Sequence, residues 1–218
     1  MLVCGVSAAS AATISISDSA MSSTNWSEGY VTDGGAGEAT TQQPAGGAND
    51  NGAYRETLLS VPGGYIFINV YHISNAFTYN PATFGDILTL DFAIDYKTDG
   101  NTVGQGFVVA QGANVWFGGY TGIATGGSWS GRTSIAMVAA DFQGFFGATL
   151  PDFSANGAPI TFGYNTANSS TVGGYTTLSG YDNFSVTITH DSSTALVPEP
   201  SVLALLALGL FGHARRRR

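Results

Sequence analysis

The chain has 218 residues, of which 44% are hydrophobic and 10% are charged. This length fits one all-β domain that is large enough to be stable without disulfide bonds. Between Thr13 and Val197 there are 14 acidic residues and three basic ones, a formal charge of −11. A body this acidic excludes nucleic-acid binding through neutralisation of phosphates. The 30 glycines and 12% aromatics, with few strong helix formers, favour β structure.

The first twelve residues, Met1 to Ala12, are apolar or small. Ala9-Ser10-Ala11 and the overlapping Ser10-Ala11-Ala12 offer the small residues that a signal peptidase needs. We predict that residues 1–12 are a secretory signal peptide whose basic beginning is missing, because the first basic residue is Arg55. The alternative is a short hydrophobic first strand.

Alternating apolar and polar residues identify the clearest strand, Ile87 to Lys97. Asp99-Gly100-Asn101 follows at once and is typical of a hairpin turn. The spacing therefore predicts a return strand from Gln105 to Gln111.

Glycine, asparagine, serine and proline clusters separate the remaining strands of the body, residues 13–196. Gly34 to Gly52 is expected to be a long exposed loop, and Thr133 to Ala140 fits either a strand or a helical turn. This pattern predicts a single β-sandwich. The other predicted strands are Ile14 to Ser17, Gly64 to Ile73, Val115 to Gly118, Ile160 to Tyr164 and Tyr181 to His190.

No motif in the body supports catalysis. Asp91 and Asp95 share one strand face, but four residues of extended chain separate them by roughly 13 Å. Glycosidase carboxylates lie about 5 to 9.5 Å apart, and no zinc-binding spacing of histidines occurs. The sequence therefore predicts no catalytic residue and no cofactor.

Aromatic residues cluster among glycines in the stretch VWFGGYTGIATGGSW. Aromatic rings exposed on loops can stack on sugars, so Trp116, Tyr120 and Trp129 are candidate glycan contacts. The alternative is that these rings fill the core of the sandwich.

The C-terminal tail, Val197 to Arg218, has three parts. Pro198, Glu199 and Pro200 come first, and an apolar run from Val202 to Phe211 follows. A helix from Ser201 to Ala214 would span roughly 21 Å, which is less than the ~30 Å hydrocarbon core of a bilayer. Four basic residues end the chain: Arg215, Arg216, Arg217 and Arg218.

These three parts, in this order, resemble the PEP-CTERM sorting signal of Gram-negative bacteria. The resemblance implies export with the help of a signal peptidase, transient anchoring in the inner membrane through the helix, and recognition of Pro198-Glu199-Pro200 by an exosortase. It also implies a destination at the cell surface or in the extracellular polysaccharide matrix. The alternative is an ordinary C-terminal membrane anchor.

The body is similar to carbohydrate-binding-type jelly rolls. The similarity lies in Asn25-Trp26-Ser27, the Asn51–Arg55 stretch, the Ile87–Lys97 strand and the late stretch GYDNFSVTI. It implies a structural Ca²⁺ between an early strand and the last strand, for which Asp18, near the first strand, and Asp182, at the start of the last one, are the matching positions. The alternative is that Asp182 belongs to a turn before the strand.

Together these observations predict a non-enzymatic, exported surface or matrix protein that displays, scaffolds or weakly binds glycans. Two alternatives are a secreted polysaccharide-active enzyme on the same sandwich and a plain membrane-anchored envelope protein. The enzyme would require a cleft in which two carboxylates approach within ~10 Å.

Overall fold

A computed structural model of the chain describes residues 10–33, 38–48, 52–64, 66–144, 149–170 and 172–192. Strands dominate these ranges, with one single-turn helix, α1 (Pro81–Phe84), and 3₁₀ turns at Ser23–Asn25 and Ala139–Asp141. The strands are β1 (Ala11–Asp18), β2 (Trp26–Asp33), β3 (Glu38–Gln42), β4 (Arg55–Val61), β5 (Ile66–Ser74), β6 (Ile87–Thr98), β7 (Val103–Gln111), β8 (Asn114–Ile123), β9 (Ser130–Met137), β10 (Phe142–Gly144), β11 (Ile160–Ser170) and β12 (Tyr175–Asp191).

The strands form two antiparallel sheets that pack face to face as a jelly-roll β-sandwich, which confirms the predicted fold class. Sheet A has the order β3-β4-β12-β6-β9, and β1 also pairs with β12. Sheet B has the order β10-β8-β7-β11-β5-β2. Strand β12 therefore pairs with β4 and β1 along one edge and with β6 along the other.

Aromatic side chains from both sheets fill the core. Phe92 of β6 stacks on Phe107 of β7 with ring centroids 4.8 Å apart. Trp26 of β2 makes edge contacts with Tyr164 and Phe184 at 5.4 and 5.2 Å. Burial of each such side chain stabilises the fold by about 1.5–3 kcal/mol, so these rings hold the two sheets together.

The predicted hairpin at Asp99-Gly100-Asn101 is wrong, because β6 lies in sheet A and β7 lies in sheet B. The apolar faces of both strands meet across the core, and two strands can face each other in this way only from opposite sheets. The Asp99 side chain accepts a hydrogen bond from the Leu178 N–H at 3.1 Å, and the Asp99 N–H donates to the Leu178 carbonyl at 3.0 Å. These bonds attach the turn to β12 of sheet A, at the point where the chain passes from β6 in sheet A to β7 in sheet B.

Two other expectations are corrected at their boundaries. Within the predicted loop from Gly34 to Gly52, β3 pairs with β4, where the Thr41 and Thr57 hydroxyls lie 3.4 Å apart and Gln42 donates to Glu56 at 2.5 Å. The ambiguous stretch from residue 133 to 140 belongs mainly to β9, which pairs with β6. Pairing with a neighbouring strand decides both cases, and local sequence does not contain that information.

The interior is polar where β2, β4 and β5 meet. His72 is fully buried, with its Nδ1 3.4 Å from Arg55 Nη2 and 3.5 Å from Glu28 Oε2, and its Nε2 3.3 Å from the Thr57 hydroxyl. The ring also stacks on Tyr164 at a centroid distance of 4.6 Å. Burial, reinforced by the positive charge of Arg55, lowers the pKa of His72 well below 6.5. The imidazole is therefore neutral in the folded protein.

This buried neutral histidine makes stability depend on pH. Because the unfolded chain takes up a proton at His72 below about pH 6.5 and the folded chain does not, the free energy of unfolding falls as the pH falls through this range. The slope from this one group is up to about 1.4 kcal/mol per pH unit. We expect the free energy of unfolding of His72→Gln, measured by urea denaturation between pH 7.5 and 5.5, to change less with pH than that of the wild-type protein.

His190→Gln is the matched control, because His190 is the other histidine of the described residues and is also buried. We expect the free energy of unfolding of this variant to keep the pH dependence that His72 causes. Equal pH slopes in the wild-type protein and His72→Gln would contradict the assignment.

Candidate functional site

The three aromatic residues proposed as glycan contacts lie in three different places. Trp116 is buried in the core with 3% of its surface exposed, and its indole N–H donates to the Thr149 carbonyl at 2.5 Å. Tyr120 is 54% exposed on the outer face of sheet B. Trp129 is half-buried over the outer face of sheet A, against Tyr54. The structure does not bring the three rings together.

A β-bulge explains why Trp116 and Tyr120 face opposite ways. An even separation along a regular strand would place both side chains on one face. Between the pairs Phe107–Gly118 and Gln105–Thr121, however, β8 contains one residue more than β7. Gly119 occupies the bulge with a φ of 59°, a conformation that glycine adopts without strain. The extra residue turns Tyr120 outward.

The outer face of sheet B carries a cleft of about 310 Å³, which we call the sheet-B cleft. Its walls come from β5, β8 and β10. It is lined by Phe67, Asn69, Phe117, Tyr120, Gln143 and Gly144.

Glycines in neighbouring strands let aromatic rings lie flat on the sheet. A Cβ atom at Gly104 of β7 would collide with the Tyr120 ring, and one at Gly29 of β2 would collide with the Tyr71 ring. Tyr71 in turn packs edge-on against Phe117 at a centroid distance of 6.2 Å. The two glycines thus leave room for the Tyr120 and Tyr71 rings above the neighbouring strands.

Two buried amides lie side by side in sheet B, and one of them, Asn69, lines the cleft. Asn69 and Asn165 come from adjacent strands, and Asn165 Nδ2 donates to Asn69 Oδ1 at 3.0 Å. Asn165 Oδ1 is buried and accepts no hydrogen bond from the described residues. Burial raises the pKa of Tyr120 above 10.0, so its hydroxyl remains a neutral donor and acceptor at physiological pH.

The lining of the sheet-B cleft is aromatic and amide, and none of its six lining residues is charged. Aromatic faces pack on the C–H faces of sugar rings, and amides exchange hydrogen bonds with hydroxyl groups. A neutral hydroxyl-rich ligand fits these groups.

The carboxylates Asp91 and Asp95 do not lie in this cleft. Both belong to β6 in sheet A, where Asp91 accepts from the Ala136 N–H at 2.6 Å and Asp95 accepts from Asn183 Nδ2 at 2.7 Å. Asp91 thereby holds β9, and Asp95 holds Asn183, which lies where the pairing of β12 with β6 shifts its register. They therefore serve the structure of sheet A.

The two aspartates named for calcium lie on paired strands. Asp18 ends β1 opposite Phe184, two residues beyond Asp182 in β12. Both oxygens of each carboxylate already accept N–H donors: those of Asp18 from Ala20, Met21 and Trp26, and those of Asp182 from Ala48 and Asn183. No group of three His, Cys, Asp or Glu side chains suited to a metal occurs in the described ranges.

Burial raises the pKa of Asp182, and the nearby charges of Asp95 and Asp18 add to the effect, whereas the N–H groups of Ala48 and Asn183 act in the opposite direction. A cation would relieve the repulsion among these carboxylates. Calcium binding at Asp18 and Asp182 stays a prediction.

The predicted processing segments lie mostly outside the described residues. Pro198, Glu199, Pro200 and the arginines at 215–218 fall there, as do residues 1–9. Ala11 and Ala12, counted with the signal peptide above, are the first residues of β1. Among the described helices, none is long and apolar enough to cross a membrane.

Sequence reasoning found Phe117 and Tyr120 in the aromatic stretch but missed the other four lining residues of the sheet-B cleft, namely Phe67, Asn69, Gln143 and Gly144. One signal was available: Phe67, Asn69 and Tyr71 alternate with the apolar Ile68 and Val70. The alternation indicates an outer face that carries aromatic and amide groups.

Comparison with known proteins identifies the C-terminal tail. Residues 196–218 match the PEP-CTERM protein-sorting motif. No curated protein matches the chain significantly.

Twenty-one chains of solved structures match the fold. One is the family 11 carbohydrate-binding module from Clostridium thermocellum, in complex with a β-1,3-1,4-mixed-linked tetrasaccharide, at 13% identity and a TM-score of 0.47 over 83% of this chain and 96% of that one. The solution structure of CtCBM11 matches at 12% identity and a TM-score of 0.48, covering 84% and 97%. The enzymatically active domain of tailspike protein 4 from bacteriophage CBA120 matches at 16% identity and 0.42, covering 77% and 20%.

At these identities and TM-scores, the solved structures do not indicate what this chain binds. The C-terminal match is direct, since it covers every part of the tail. The chain carries a jelly-roll β-sandwich followed by the PEP-CTERM motif of an exported, exosortase-sorted protein.

Proposed function

We propose that this protein is a non-enzymatic glycan-binding protein that an exosortase delivers to the cell surface or the extracellular matrix. The observation that carries the glycan-binding proposal is the sheet-B cleft, in which Phe117 and Tyr120 stand beside the amides of Asn69 and Gln143. Rings and amides together recognise sugars, and the cleft is ready-made in the folded chain. By binding glycan in this way, the protein would be displayed on, or act as a scaffold in, the extracellular polysaccharide.

The described lining of the sheet-B cleft does not support the enzymatic alternative. A glycosidase requires two carboxylates about 5 to 9.5 Å apart on either side of the scissile bond. The lining residues of the sheet-B cleft include neither Asp nor Glu. The cleft geometry favours binding without turnover.

Substitution of Tyr120 tests the glycan site. We expect Tyr120→Ala to weaken binding of a neutral oligosaccharide, chosen from a glycan array, by roughly 3- to 10-fold, because one aromatic contact contributes about 0.5–1.5 kcal/mol. Isothermal titration calorimetry on the full chain in mild detergent gives the dissociation constants. Gln143→Ala, which removes an exposed amide of the cleft, should weaken binding in the same direction.

Tyr30→Ala is the matched control, because Tyr30 is 70% exposed on β2 of the same sheet and does not line the cleft. This variant should bind like the wild-type protein. If no neutral glycan on the array binds, or if Tyr30→Ala and Tyr120→Ala behave alike, the cleft is not the binding site.

Processing by the exosortase is tested by the intact mass of the protein isolated from its host. We expect a mass that lacks the tail, with cleavage at or near Pro198-Glu199-Pro200, and that lacks the signal peptide. Deletion of the exosortase gene should restore the tail. A mature protein that keeps Arg215 to Arg218 in the wild-type host supports the alternative of a plain membrane anchor.

The calcium prediction is tested by thermal unfolding. We expect millimolar Ca²⁺ to raise the melting temperature, because a ligand that binds only the folded state stabilises it. Asp182→Asn should abolish the increase, and Mg²⁺ at equal concentration should not reproduce it, since Mg²⁺ demands a more rigid octahedral site. An unchanged melting temperature in Ca²⁺ refutes the site at Asp18 and Asp182.

A further inference from the structure

The outer face of sheet A carries a second cleft, on the opposite side of the sandwich from the sheet-B cleft. It encloses about 190 Å³, and we call it the lysine cleft. Its lining residues are Glu56, Lys97, Thr98, Asp99, Gly127, Leu178 and Gly180.

The feature that distinguishes this cleft is the position of Lys97. Its Nζ lies 4.0 Å from the centroid of the Tyr54 ring and 4.9 Å from that of Trp129, and the two rings meet edge to face at 5.2 Å. Gly180 makes room for this arrangement, since a Cβ atom there would lie 2.8 Å from Lys97 Cε and 3.0 Å from Tyr54 Cε2. Cation–π attraction holds the ammonium between the rings.

Hydrogen bonds fix Tyr54 in this position. Its hydroxyl donates to Glu56 Oε2 at 3.0 Å, and Gln42 donates to Glu56 Oε1 at 2.5 Å. The Glu56 carboxylate is therefore committed to its neighbours. It is also 8% exposed, so it is largely withdrawn from solvent.

A second pair of hydrogen bonds fixes the loop that carries Trp129. The Thr98 N–H donates to the Thr125 hydroxyl at 2.8 Å, and the Thr125 N–H donates to the Thr98 hydroxyl at 3.0 Å. Gly126 and Gly127 then turn the chain with φ values of 62° and 90°, which glycine tolerates. The Thr98–Thr125 bonds and the glycine turn therefore hold Trp129 beside Lys97.

The ammonium of Lys97 has unused hydrogen-bonding capacity. Among the described residues, no carboxylate oxygen lies within 4.0 Å of Nζ and no acceptor hydrogen-bonds to it. A lysine ammonium has three N–H donors, and ring faces do not replace a good acceptor. Asp99, the nearest acidic lining residue in sequence, directs its carboxylate to the N–H groups of Leu178 and Asn101.

From this geometry we propose that the lysine cleft binds one carboxylated sugar unit, a hexuronate within an acidic polysaccharide. The carboxylate accepts hydrogen bonds from Lys97, and the C–H face of the pyranose packs on Trp129. The volume of the cleft fits one sugar ring rather than an extended chain.

Sites on opposite sheets would then let one molecule join an acidic polymer to a neutral one, a consequence that rests on the proposed function of the sheet-B cleft.

Tetragalacturonate titrated into the full chain in mild detergent tests this site. We expect saturable binding that Lys97→Met weakens by about tenfold or more, because the charge-assisted hydrogen bonds are lost while the stem keeps its packing. Lys97→Arg should retain much of the affinity, and Trp129→Ala should lose it. Because the contact is ionic, affinity should also fall when NaCl rises from 50 to about 300 mM.

Three controls distinguish the lysine cleft from the sheet-B cleft and from unspecific attraction of anions. Tyr120→Ala should leave tetragalacturonate binding unchanged, and Lys97→Met should leave binding of the neutral glycan unchanged, so failure of one site is distinguishable from failure of the other. Tetraglutamate, which has carboxylates but no sugar rings, should not bind. The proposal is overturned if tetragalacturonate does not bind, if Lys97→Met binds it normally while remaining folded by thermal denaturation, or if tetraglutamate binds equally well.

Discussion

The fold depends on the pairing of its last strand with three earlier ones. Seventeen-residue β12 is the centre of sheet A, joining β4, β1 and β6, and it carries Tyr181, Phe184 and Val186 into the core. Sheet A is consequently incomplete until the chain has passed residue 191. The Ser192 N–H donates to the Ser10 carbonyl at 3.0 Å, so the first and the last described residues of the chain lie side by side.

Much of this architecture could be predicted from sequence, because alternating apolar residues identify strands without knowledge of their partners. The Ile87–Lys97 pattern became β6 with both boundaries within one residue. Partners could not be predicted, so the turn at Asp99 was interpreted as a hairpin instead of a crossing between sheets. Strand β3 could not be predicted because the surrounding Gly-, Ala-, Asn- and Gln-rich stretch is typical of a loop, and the pairing with β4 is not visible in the local sequence.

The candidate sites show the same limit more sharply. A cluster in sequence suggested that Trp116, Tyr120 and Trp129 act together, yet one bulge residue, Gly119, and one loop distribute them over the core and both outer faces. The sheet-B cleft instead gathers side chains from β5, β8 and β10, which lie up to about 75 positions apart in the chain. The residue pattern within one strand does not predict which other strands contribute to the same cleft. The C-terminal tail is the opposite case, since its signal is contiguous and could be identified in full.

The two outer faces differ in chemistry, with neutral rings and amides on sheet B and a lysine held between two aromatic rings on sheet A.

The central claim is that the outer face of sheet B binds glycan. The most direct measurement is an NMR titration with a neutral oligosaccharide, following the side-chain amide signals of Asn69, Gln143 and Asn165. Our account predicts saturable shifts of these signals while the indole signal of Trp129 on the other sheet stays in place. Unchanged amide signals, or shifts confined to sheet A, would contradict it.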